Sequence, residues 1–162
     1  MANAGKLQVE SSMFEEGGTI PKTAVHTFAG GDDVSPDLRW SGVPAGTQSI
    51  AVTCHDPDAP TPVGFCHWVM FNLPADLDHL DAGAGDPGKA PAGSVLGFTD
   101  WGESKWGGCA PPPGDEPHRY EFTVFALDTK LDLDETTTLA KFSFMSRGHV
   151  LASGTLTGKY GA

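Results

Sequence analysis

The stretch Ile50–Asn72, IAVTCHDPDAPTPVGFCHWVMFN, restricts the fold more than any other. Its two apolar runs, Ile50–Cys54 and Phe65–Phe71, are too short for ordinary helices and rich in β-branched and aromatic residues. Both are predicted as strands. Between them Pro57, Pro60, Pro62 and Gly64 interrupt any regular element, so His55–Gly64 is a loop. Asp56, Asp58 and His67, just inside the return strand, therefore gather near one end of a sheet. A second segment, Trp106–Tyr120, adds His118 and a loop rich in Pro and Gly. The two segments are expected to face each other and enclose a pocket for a small anion.

Side-chain alternation sharpens this expectation. Ile50, Val52 and Cys54 share one face by the two-residue period, and Asp56 follows on the same side. A carboxylate facing inward needs partners, because burying it alone is costly. Arg119–Leu127 is the strongest strand pattern in the chain. Tyr120, Phe122, Val124 and Ala126 share one face, and His118 precedes them on that side. His118 and Tyr120 thus belong at the core edge, as His67 does.

Elsewhere the punctuation sets the pattern. Lys6–Glu10 alternates and predicts a half-buried strand, Thr19–Pro21 an edge piece, and Val25–Phe28 a short strand with His26 on the surface. Asp32–Gly46 is a structured loop anchored by Leu38 and Trp40. Ala75–Gly97 lacks periodicity and predicts a surface connection with His79 in solvent, and Phe98–Trp106 a polar loop whose aromatics can reach the core. Asp134 is placed to cap a helix over 135–147, with 149–152 continuing it briefly and Gly154–Tyr160 closing as a strand. The sum is one mainly-β domain over 1–162. Its two packed antiparallel sheets form a Greek-key-like β-sandwich with a short C-terminal helix.

Composition excludes several functions. With 162 residues and 39% hydrophobic content, the chain can bury a real core, roughly 70% of its unfolded surface. No apolar run approaches the roughly 20 residues that span a bilayer, and the start Met1–Lys6 has no apolar core of a secretory signal. Twenty-one acids against 10 bases give a formal charge of −11. Without clustered Lys and Arg there is no nucleic-acid surface. Cys54, Cys66 and Cys109 show no C-x-x-C spacing and are expected as buried free thiols, which points to a reducing, cytoplasmic setting.

Two motifs stand together here: D-P-D-A-P followed by H-W, and G-G-x-x-P-P-P-G-x-x-P-H-R-Y followed by F-x-V-F-A-L-D. This pattern resembles the phosphatidylethanolamine-binding protein family, also called the Raf kinase inhibitor protein family, in its bacterial and archaeal branch. It extends from Ser35-Pro36-x-Leu38-x-Trp40 to Gly158-x-Tyr160. The resemblance implies a β-fold with two antiparallel sheets and a pocket at one end for phosphate, acetate or a phosphoethanolamine headgroup. On this reading Asp56 and Asp58 are the loop acids, Pro60 the proline after them, and His67 the histidine of the next strand. Gly108 and Pro112 form a glycine–proline wall, and His118 and Tyr120 complete the site. Cys109-Ala110 depart from the usual bacterial G-G-P-C-P-P pattern, and Trp106 stands where Tyr is frequent. The resemblance further implies a kinase or serine protease as protein partner and a homodimer; the residues themselves point to no catalysis and no cofactor.

An anion site rich in Asp needs a physical account. Donors are expected from His67, His118 and the backbone amides of Gly108, Cys109 and Ala110, arranged as a nest. Asp56 is expected to orient His67 and raise its pKa, or a carboxylate faces the ammonium group of a zwitterionic headgroup. Two or three charge-assisted hydrogen bonds, each worth roughly 1.5–3 kcal/mol, give only weak to moderate affinity. Serine protease inhibition is the first alternative function. A metal-dependent enzyme is the second, drawing ligands from His55, Asp56, Asp58, His67 and His118, although no metal-binding spacing is present. No G-x-S-x-G elbow supports hydrolysis.

Overall fold

The computed structural model describes residues 5–162, so most of the Met1–Lys6 start lies outside the described residues. The strands are β1 (Gly5–Lys6), β2 (Gln8–Glu10), β3 (Leu38–Ser41), β4 (Ser49–Asp56), β5 (Phe65–Pro74), β6 (His79–Leu80), β7 (Val95–Leu96), β8 (His118–Leu127) and β9 (Val150–Tyr160). One helix, α1 (Leu139–Ser146), precedes β9. A six-stranded sheet has the order β1-β9-β8-β4-β5-β7, and a three-stranded sheet the order β2-β3-β6. All pairings are antiparallel except β1 with β9. The fold is mainly β, as expected from the short apolar runs.

The alternation in β4 separates two cores. Ile50, Val52 and Cys54 face the small sheet, where they meet Leu38 and Trp40 of β3 and Trp68 and Phe122 of the large sheet. Ala51 points the other way, into a second cluster with Val69, Phe71 and Phe142 of α1. The molecule therefore has three layers: small sheet, large sheet and helix. Strands β4 and β5 are buried on both faces and read as continuous apolar runs for that reason.

Several local expectations are corrected. The Lys6–Glu10 strand is split at buried Leu7, with β1 in one sheet and β2 in the other. Val25–Phe28 is not a strand: two 3-10 turns, Lys22–Ala24 and Thr27–Ala29, flank Val25, which makes a single bridge to Cys109. The Phe28 amide donates to His26 Nδ1 at 3.0 Å and turns the chain there. The 32–46 loop contains β3, whose Leu38 and Trp40 are its anchors. Within 75–97, β6 and β7 add short pairings that bury Leu80 and Leu96.

The helix begins later than expected. Asp134 Oδ1 accepts from the Thr136 amide at 2.9 Å and closes a turn, while Thr138 is the true cap, accepting from the Lys141 amide at 3.2 Å. Three consecutive β-branched residues, Thr136–Thr138, oppose an earlier start. Gly148, at φ 84°, ends the helix and reverses the chain. Residues 150–152 consequently open β9 and do not extend the helix.

Candidate functional site

Strand β4 ends at Asp56, β5 begins at Phe65 and β8 begins at His118, so three central strands deliver their polar termini to one end of the large sheet. The loop joining β4 to β5 folds back there. Gly64 adopts φ 70°, a left-handed conformation that glycine tolerates, and the Asp56 carbonyl sits against its Cα. Together with the 110–112 segment the loop walls a cavity of about 270 Å³.

The floor of this cavity is polar and buried. Asp56, His67 and His118 are 2%, 3% and 3% exposed. Asp56 Oδ2 accepts from His118 Nδ1 at 2.7 Å, and Oδ1 accepts from the Asp58 amide at 2.8 Å. On its other side, His118 Nε2 donates to Asp115 Oδ2 at 2.9 Å. Two carboxylates can both accept from one ring only if both nitrogens carry protons, so His118 is an imidazolium. Burial opposes that charge, but Asp56 and Asp115 outweigh it and raise the pKa of His118 above its ordinary value.

His67 behaves in the opposite way. Its Nδ1 donates to the Gly107 carbonyl at 2.7 Å, and burial pushes its pKa down to about 4 against the pull of that carbonyl and of Asp56. The ring is neutral at physiological pH. Its Nε2, with no hydrogen-bond partner among the described residues, borders the cavity as an acceptor. The expectation that Asp56 orients His67 is corrected, since the Gly107 carbonyl does so and Asp56 is hydrogen-bonded to His118. Asp56 does pull the His67 pKa upward, but burial outweighs it.

The walls are apolar. Pro60, Ala110, Pro112 and Tyr120 line the cavity as the sequence suggested. Tyr120 packs edge-on against His67, with ring centroids 5.2 Å apart, and burial pushes its phenol pKa up. Phe65 and Trp101 complete the wall as an edge-to-face pair at 5.4 Å. The sequence reading missed both as site residues. Phe65 sits two positions before His67, so strand alternation signals its side; Trp101 stands in the 98–106 loop, where nothing local fixes its direction. His26, expected on the surface, stacks on Trp101 with centroids 4.0 Å apart.

Three proposed site residues lie off the cavity. Asp58 is tied to Arg119, accepting from Nε at 3.0 Å, from Nη2 at 2.8 Å and from the Arg119 amide at 2.9 Å. The Arg119 guanidinium holds the Asp58 carboxyl down at about 2. Gly108 lies against the backbone of 24–26, where a Cβ would come within 2.5 Å of the Ala24 carbonyl. Cys109 is fully buried beneath the wall, its thiol pKa raised by burial. The expected amide nest is occupied from within: the Gly108 amide donates to Asp33 at 2.7 Å and the Cys109 amide to the Ala24 carbonyl at 3.3 Å. Ala110 alone of the three faces the cavity.

Among the described residues, no group of three or more His, Cys, Asp or Glu side chains is arranged to hold a metal ion. All three cysteines are free and buried. No helix among the described residues is long and apolar enough to cross a membrane.

The phosphatidylethanolamine-binding protein family matches this chain over residues 10–161. The chain belongs to that family. Among its relatives, the UPF0098 protein YbhB of Escherichia coli K12 is 44% identical over 158 residues, covering 95% of this chain and 99% of its own. The UPF0098 protein YbcL of the same organism is 42% identical over 166 residues, covering 98% and 90%. The crystal structure of E. coli YbcL, described as a new member of the mammalian family, superposes with a TM-score of 0.92 at 39% identity over 98% of this chain and 99% of that one. A carboxypeptidase Y inhibitor complexed with its cognate proteinase shares the fold alone, with a TM-score of 0.54 at 21% identity, covering 96% of this chain and 83% of that one.

Proposed function

We propose that this protein is a non-catalytic binding module whose cavity takes a small oxyanion group, phosphate or carboxylate, that arrives with a proton. One observation carries the reading: the neutral, buried His67 presents an unpartnered Nε2 to a cavity that no Lys or Arg lines. Inside that cavity the nearest full charges are the Asp56 carboxylate and the His118 imidazolium, already paired with each other. A bare dianion would face a carboxylate and a lone pair. A ligand bearing a P–OH or a carboxylic O–H instead donates to His67 Nε2, while its remaining oxygens reach the Ala110 side of the wall. Phosphate monoesters carry such a proton below a second pKa of about 6. Binding is therefore weak at neutral pH and strengthens with acidity.

The volume of about 270 Å³ suits a headgroup or a side-chain terminus and not a whole lipid. In this reading the pocket serves regulation, by engaging a phosphorylated compound or a partner protein such as a kinase, in a reducing, cytoplasmic setting. Serine protease inhibition stays the alternative; it would use the loops around the cavity, so saturating phosphate would leave it intact. Nuclear magnetic resonance of the His67 ring during titration with phosphoethanolamine at about pH 6 tests the main reading. A saturable shift of the His67 signals is expected, and static signals at saturating ligand contradict it.

A further inference from the structure

His118 has a second, outward side. Its Nε2 meets Asp115 outside the cavity, where His118, Arg119 and Lys159 line a separate open depression of about 370 Å³ together with Asp58, Asp115 and Glu116. Arg119 of β8 and Lys159 of β9 are direct cross-strand partners. Like charges placed opposite each other in a sheet are unfavourable unless something neutralises them. Asp58 neutralises Arg119 through two side-chain hydrogen bonds, and Asp115 neutralises His118. Three cationic side chains thus converge on one spot of a chain whose formal charge is −11.

Asp115 is the movable member of this group. Its side chain is 41% exposed, whereas the His118 side chain it meets is 3% exposed. It stands on the 111–117 loop, directly after Gly114 at φ 91°. Its carboxylate therefore behaves as a tethered anion seated on a buried cationic donor.

We propose that this depression is an oxyanion subsite in which the Asp115 carboxylate stands where the phosphate or carboxylate group of a ligand binds, displacing Asp115 from His118 Nε2. Lys159 supplies the second charge and Arg119 the flanking one. The subsite does not rest on the inner cavity, because Asp56 separates the two on the opposite nitrogen of the same ring.

The test is calorimetric titration with inorganic phosphate, and in a second arm with acetate, at about pH 6, below the ordinary histidine value. The proteins are the wild type, Asp115→Ala, the double variant Asp115→Ala/Lys159→Ala, and Asp115→Ala/His67→Ala. The hydrogen bond from His118 Nδ1 to Asp56 is left in place in all of these variants. Removing a carboxylate tethered by a short loop is expected to tighten phosphate binding about tenfold or more. That gain should vanish with Lys159→Ala and survive His67→Ala. Equal affinity in wild type and Asp115→Ala overturns the subsite, as does a gain that persists without Lys159. Phosphate binding that is lost only with His67 leaves the inner pocket standing and the outer subsite refuted. A gain with phosphate but not acetate assigns the subsite to phosphate groups.

Discussion

Asp56 and His118 form a hydrogen-bonded pair, Oδ2 to Nδ1 at 2.7 Å, in which each side chain is 3% exposed. Strands β4 and β8 bring them together from two separate motifs, 62 positions apart. The pair decides the electrostatics of the whole site. It holds His118 as a cation and leaves the Asp56 carboxylate hydrogen-bonded to that ring, while burial keeps His67 neutral.

Removing one partner of a buried pair leaves the other charge uncompensated. Asp56→Ala is expected to destabilise the fold by about 3–5 kcal/mol, measured by urea denaturation at neutral pH. A loss within about 0.5 kcal/mol would show that the pair is not held as described. The raised pKa of His118 gives stability that is fully present below about pH 6.5 and lost as pH rises through its folded value. Asp56→Ala should remove much of that upper-pH slope.

His67 has the reverse sign. Its unfolded form takes up a proton below about pH 6.5, while the folded form resists until about 4. Stability should fall as pH drops through that window. His67→Gln, which keeps a hydrogen-bonding group but cannot titrate, should flatten this part of the profile. An unchanged slope would mean that His67 is solvated or charged in the native protein.

The Asp58–Arg119 pair invites overinterpretation. Its geometry is bidentate, but Arg119 is 51% exposed and Asp58 31%. Arg119→Ala is expected to lower stability only slightly, and less at high salt. Thermal denaturation in low and high salt measures both effects; a larger, salt-insensitive loss would contradict a screened surface pair.

The strands that build the site were legible because they are buried and strongly patterned. Ile50–Cys54, Phe65–Phe71 and Arg119–Leu127 each have a period or apolar run that admits one reading, and the alternation placed Asp56 and His118 on the inner face. The spacing of the D-P-D-A-P and P-H-R-Y motifs added the family. Which acid serves which histidine was not legible. Asp56 follows β4 towards both His67 and His118, and only the pairing of β4 with β8, together with the Gly107 carbonyl beside His67, settles the partner. The Val25–Phe28 turns were obscured by β-branched residues that local hydrogen bonding to His26 overrides. The outward role of Asp58 was hidden because Asp-Pro loops give no periodicity from which to read direction.

The helix offers a separate test. Phe142 is fully buried between Phe71 and Phe125, with ring centroids 6.1 and 5.4 Å away, and α1 has few other buried residues. Phe142→Ala is expected to cost about 3–5 kcal/mol and to loosen α1. Denaturation and amide exchange over residues 139–146 report the two effects. Full protection of those amides in the variant would contradict a helix docked through this ring.

Binding of a small oxyanion through His67 is read out by thermal-shift titration. Wild type and His67→Ala are titrated with phosphate and with phosphoethanolamine at about pH 6. At about 100-fold above Kd a ligand adds roughly 2.7 kcal/mol, which for a domain of this size raises Tm by about 5–10 °C. That rise is expected in the wild type and is lost in His67→Ala. No rise with either compound, or an equal rise in both proteins, would contradict binding through His67.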